Sequence, residues 1–81
     1  MRRTLDGPAQ FRPGFTHVDG QRLANAALQE AKAKGLIRPE QLNGYIYNAG
    51  SNVGAFGGKP TSFIKLKVTP QGELHIHPAV P

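Results

Sequence analysis

Between Phe63 and His77, apolar and polar positions alternate strictly on both sides of a single turn. Alternation with a period of two marks a strand with one dry and one wet face. Ile64, Leu66 and Val68 share one side of the first strand, and Lys65 and Lys67 share the other. Leu74 and Ile76 then oppose Glu73, His75 and His77 in the second. Pro70-Gln71-Gly72 suits a type I turn closed by a left-handed glycine, a three-residue hairpin loop. That loop pairs Thr69 with Glu73, Val68 with Leu74, Lys67 with His75, Leu66 with Ile76 and Lys65 with His77. A slip of one residue would bury charge, so the register is self-specified.

Upstream the period becomes helical. Leu23, Ala24, Ala27, Leu28 and Ala31 form an i, i+4 stripe, with polar side chains elsewhere. Asp19 suits the N-cap, with Val18 at the staple position, and Gly35 suits the position after the C-cap. The spacing predicts a helix over about residues 20–34. Arg38-Pro39-Glu40-Gln41-Leu42 predicts one further helical turn, with Pro39 at its first position. After Asn43-Gly44, Tyr45-Ile46-Tyr47 reads as a short strand with both tyrosines on one side. Residues 49–60 read as a glycine-rich loop, pinned by Val53 and Phe56, in which glycines let backbone approach a ligand or another strand. Residues 1–16 lack periodicity and read as an irregular arm or linker, with Leu5, Phe11 and Phe15 available to dock.

The expected fold class is therefore α+β. One N-terminal helix packs on a small antiparallel sheet that ends in a C-terminal β-hairpin, and residues 17–81 form a single small domain. Composition narrows the partners. The chain has 81 residues and no cysteine, which excludes disulfides and cysteine-metal sites. No run approaches the roughly 20 apolar residues that span a bilayer. Met1-Arg2-Arg3 precedes no apolar stretch of the secretory type, so a soluble, cytoplasmic protein is expected. Ten Lys plus Arg against five Asp plus Glu leave a net charge of +5, which favours a polyanionic partner.

The wet face of the hairpin carries the candidate chemistry. His75 and His77 lie two apart on one strand face, roughly 7 Å from each other. A metal would need a third ligand, and His17 and Asp19 stand on another element, so no metal is expected. Two imidazoles beside two ammonium groups suit phosphodiester chemistry instead. One ring takes a proton from a hydroxyl, the other gives one to the leaving oxygen, and the cations hold the phosphate. Like charge across a strand pair penalises an imidazolium, and a neutral imidazole is the form a general base requires. His75, His77, Lys67 and Lys65 are accordingly the candidate catalytic residues, with Glu73 as a substitute base. The bland alternative is a polar hairpin face that keeps the sheet soluble.

Tyr45 and Tyr47 are candidates to stack bases or to hydrogen-bond phosphate if their strand joins the hairpin. Lys59, Thr61 and Ser62 are candidates to reach an RNA backbone from the loop. Gly57-Gly58-Lys59-Pro60-Thr61-Ser62 is no nucleotide-binding P-loop: Val53 stands where its first glycine belongs, Pro60 follows the lysine, and a strand comes next. A serine or cysteine nucleophile has no pattern to support it.

Element order, basic charge and C-terminal histidines together make residues 17–78 resemble the small metal-independent ribonuclease toxins. These are the barnase-like, bacteriocin and contact-dependent inhibition families. The chain is shorter than barnase-like members, with three candidate strands. The resemblance implies RNA cleavage on the sheet face and no cofactor. It also implies delivery into a target cell's cytoplasm as part of a larger secreted protein, and neutralisation by an acidic immunity or antitoxin protein. The alternatives from other classes are a non-enzymatic basic nucleic-acid-binding module and a small protein-binding adaptor.

Overall fold

Thr16, not Asp19, caps the long helix. In a computed structural model that describes residues 9–81, helix α1 spans His17–Ala33. The Thr16 hydroxyl accepts the Asp19 N–H at 3.1 Å, and the Asp19 carboxylate accepts the Thr16 N–H at 3.0 Å. This reciprocal capping box satisfies two donors that helix geometry leaves free. Asp19 thus works as the third helical residue, and the helix starts earlier than expected. Val18 loses its staple role and is 52% exposed. The residue before the cap is Phe15, whose ring packs toward Gly20. At the other end, Gly35 donates to the Lys32 carbonyl and Leu36 to the Ala31 carbonyl, which closes a Schellman motif. Helix α2 (Pro39–Leu42) follows, its start braced by the Gln41 side-chain oxygen, which accepts the Ile37 and Arg38 N–H groups.

Among the described residues, six strands make two three-stranded antiparallel sheets. One contains β1 (Ala9–Phe11), β3 (Gly54–Phe56) and β4 (Lys59–Thr61), in the order β1-β3-β4. The other contains β2 (Ile46–Asn48), β5 (Phe63–Val68) and β6 (Leu74–Ala79), in the order β2-β5-β6. Only Ser62 separates β4 from β5, and Ala49 and Val53 donate to the Ser62 and Thr61 carbonyls. The two sheets are therefore stitched into one long ribbon, bent where residues 49–53 bulge.

Two expectations are corrected here. Residues 49–60 are not a free loop, because they contain the β3–β4 hairpin. Gly57 and Gly58 (φ 60° and 82°) supply the two left-handed residues of its two-residue turn. The arm is also no arm from residue 9 onward, because β1 pairs with β3 through Ala9–Phe56, Gln10–Ala55 and Phe11–Gly54. Gly54 permits that pairing. A Cβ there would overlap the Gln10 carbonyl oxygen and stand 2.8 Å from Phe11 Cα. Phe11 and Phe15 dock on the core as expected; Leu5 lies outside the described residues.

The C-terminal hairpin has the expected register at every rung from Lys65–His77 to Val68–Leu74. Thr69 donates to the Glu73 carbonyl and Gly72 to the Thr69 carbonyl, the bonds of the three-residue loop. The dry face meets α1. Ile64, Leu66, Ala27 and Ala31 are fully buried, and the small alanines let helix and sheet approach closely. One cluster joins Ala27, Val53 and Ile64, and the other joins Ala31, Leu42 and Leu66. Burying side chains of this size contributes about 1.5–3 kcal/mol each for Ile64 and Leu66.

Candidate active site

Strand pairing assembles the wet face without help from any loop. Lys67 lies directly opposite His75, and Lys65 directly opposite His77. Strand β2 adds Ile46 beside Lys65. Alternation places Phe63, opposite Ala79 and Asn48, on the same side. Lys67, Glu73 and His75 are exposed, while Lys65 and His77 are half-buried.

The two imidazoles have different partners. His77 donates its Nδ1–H to the Pro78 carbonyl at 2.8 Å, since a carbonyl can only accept. In the neutral ring the lone pair then sits on Nε2, the nitrogen free to take a proton. His75 Nε2 lies 3.7 Å from the Glu73 carboxylate, an ion pair when that ring is protonated. Their geometry suits His77 to accept a proton and His75 to give one. Two cations and one carboxylate complete the set.

The remaining predicted residues do not join it. Strand β2 pairs with β5 as supposed, yet Tyr45 and Tyr47 face the helix side of the sheet. The Tyr45 hydroxyl donates to Glu30 of α1, and Lys34 stands 5.5 Å from its ring centre. The Glu30 hydrogen bond and then burial raise the Tyr45 phenol above its ordinary 10.0. The Tyr45 contact likewise raises the Lys34 ammonium. These tyrosines brace helix against sheet. Thr61 is also structural: buried, it donates to the Ala79 carbonyl at 2.7 Å and accepts the Phe63 N–H at 3.1 Å. Ser62 donates to the Asn48 side chain at the ribbon's bend. Lys59 is exposed beside the glycine turn of the other sheet.

A groove that sequence reasoning missed adjoins His75. It measures about 320 Å³ and runs between the start of α1 and β6. Phe11, Phe15 and Ile76 line it, with His17 and Gln21 contributed by the helix. The signal in the sequence was Thr16-x-x-Asp19, a capping box that sets the helix start and turns His17 and Gln21 toward β6. His17 and Asp19, the possible recruits to a metal, part company here. Asp19 is held by Thr16, whose backbone N–H and then hydroxyl lower its carboxyl below the ordinary 3.8. Among the described residues, no three metal-binding side chains come together.

Comparison with known proteins adds no relative: no family model, curated protein or solved structure matches the chain. Among the described residues, no helix is long and apolar enough to cross a membrane.

Proposed function

We propose that the wet face of the C-terminal hairpin binds RNA and cleaves it by transesterification. The observation that carries this reading is the pair of cross-strand neighbours, Lys67 with His75 and Lys65 with His77. In the proposed step, His77 Nε2 takes the proton of a ribose 2′-hydroxyl. The 2′-oxygen bonds to phosphorus, the bond from phosphorus to the 5′-oxygen breaks, and His75 protonates that oxygen. Lys65 and Lys67 balance the charge that grows on the phosphate in the transition state. The products are a 2′,3′-cyclic phosphate and a free 5′-hydroxyl, with no co-reactant consumed. A domain of this kind acts as a toxin in the cytoplasm that it reaches, and an acidic immunity protein covering the cations would silence it.

The test is incubation of the purified protein with total RNA, with and without EDTA. Fragments that end in cyclic phosphate, formed equally in both tubes, support the reading. RNA left intact in both contradicts it. One feature favours a second reading, a binder without turnover: Phe63 and Ile46 share the face with the lysines, and such mixed sheet surfaces hold single strands by stacking and charge. In that case His75→Ala and His77→Ala keep full affinity. Lys65→Ala with Lys67→Ala lowers the salt slope of binding by about 2, roughly one per lysine.

A further inference from the structure

We infer that the groove between α1 and β6 is a nucleobase subsite, serving the nucleotide whose phosphate rests on Lys67 and His75. This inference rests on the proposed RNA chemistry of the hairpin face and adds the part of the substrate that the face leaves unread.

Continuity is the first argument. His75 belongs to both places, opposite Lys67 on the sheet face and in the wall of the groove. Strand β6 is an edge of its sheet, so a nucleotide whose phosphate rests on that pair would reach the opening by passing round this edge. Chemistry is the second. A nucleobase has apolar faces and hydrogen-bonding edges, and the groove repeats that division. Phe11 and Phe15, stacked with ring centres 4.2 Å apart, supply aromatic surface, while Gln21 and His17 supply donors and acceptors at the rim. Size agrees, since small-molecule sites start at about 300 Å³.

Gly20 provides an independent argument. It lies inside the first turns of α1 and lines the groove. Glycine there costs roughly 1 kcal/mol against alanine. The fold does not require it: its φ is ordinary, and an added Cβ would meet only Phe15 Cε1, at an ordinary 3.6 Å. What the missing side chain preserves is open space beside Phe15, where a helix start normally sets an apolar staple. The tyrosines expected to stack bases are turned to the core, so this groove takes over that task.

The test follows backbone amide NMR signals during titration with nucleoside 3′-monophosphates, ribose 5-phosphate and inorganic phosphate. The subsite predicts that nucleotides move the signals of Gly20, Gln21 and Ile76 as well as those of the hairpin. They should also bind about fivefold to a hundredfold tighter than ribose 5-phosphate, the range that base–aromatic stacking supplies. Gly20→Leu fills the groove and should abolish this advantage, with phosphate binding and thermal stability kept. Gln21→Ala, exposed and harmless to folding, should change the order of preference among the four bases. If all three probes bind equally and move only hairpin signals, the subsite is overturned and the phosphate-binding face stands. If no probe moves the hairpin, the functional reading itself fails, and the subsite with it.

Discussion

The chain builds two hairpins by different means. In β5–β6, side chains write the register: two dry rows, two wet rows and a turn of fitting length leave one way to pair. In β3–β4, backbone geometry writes it. Gly57 and Gly58 close the turn, Gly54 lets β1 approach, and strand pairing depends on neighbours rather than on alternation. The first hairpin holds the candidate chemistry, and the second ties the N-terminal strand to the body. Proton transfer needs side chains held in fixed relative positions, and the candidate catalytic set lies on the ribbon that specifies itself.

That contrast can be tested by breaking each hairpin in its own currency. The largest effect is expected at the dry face of the first. Leu66→Ala removes a fully buried side chain between α1 and α2 and should lower stability by about 2–5 kcal/mol in chemical denaturation. A loss within 1 kcal/mol would mean that this face is not the core. For the second hairpin the corresponding lesion adds an atom. Gly54→Ala should cost about 1–3 kcal/mol or more, because the added methyl enters the backbone of β1. Amide exchange should then rise in Ala9–Phe11 and leave the Lys65–His77 rungs protected. Faster exchange in both hairpins would show that the two sheets unfold as one.

A smaller effect belongs to the helix start, which shapes the groove between α1 and β6. Thr16→Ala removes half of the capping box and should cost about 1 kcal/mol. The Asp19 half is sensitive to acid. Because its folded carboxyl is lowered below 3.8, its contribution is complete above that value and is lost as pH falls through the lowered value. Asp19→Asn should therefore flatten the stability profile below about pH 4, measured by thermal melts, and leave its shape near neutrality unchanged. A variant whose acid profile matches the parent would place the titration elsewhere.

How much of this was legible follows from the same contrast. The rungs of β5–β6 from Lys65–His77 to Val68–Leu74 could be read, since alternation and turn length are local properties. The helix and its C-terminal glycine were legible too, but its start was misplaced at Asp19. Thr16 and Asp19 both suit a cap, and only the reciprocal bonds show which one holds the position. The β3–β4 hairpin was hidden because glycine has no side chain to alternate and reads as loop wherever it clusters. Tyr45 and Tyr47 were correctly set on one side of their strand. Which side was beyond local reading, because it depends on pairing with β5, which sets Tyr47 against Ile64 far along the chain. The groove was signalled only at its helix end, by Thr16-x-x-Asp19, because the rest of it is assembled from an apparent arm and an edge strand.

The central claim is that His77 and His75 act as a proton-accepting and proton-donating pair beside Lys65 and Lys67 on one ribbon face. It is tested most directly by the rate of RNA cleavage in His77→Ala and His75→Ala proteins that melt at the parent temperature. Each substitution should slow cleavage by about 10²- to 10⁴-fold, the contribution typical of a positioned acid or base, a far larger effect than its effect on RNA affinity. Cleavage at the parent rate by both folded variants would contradict the claim.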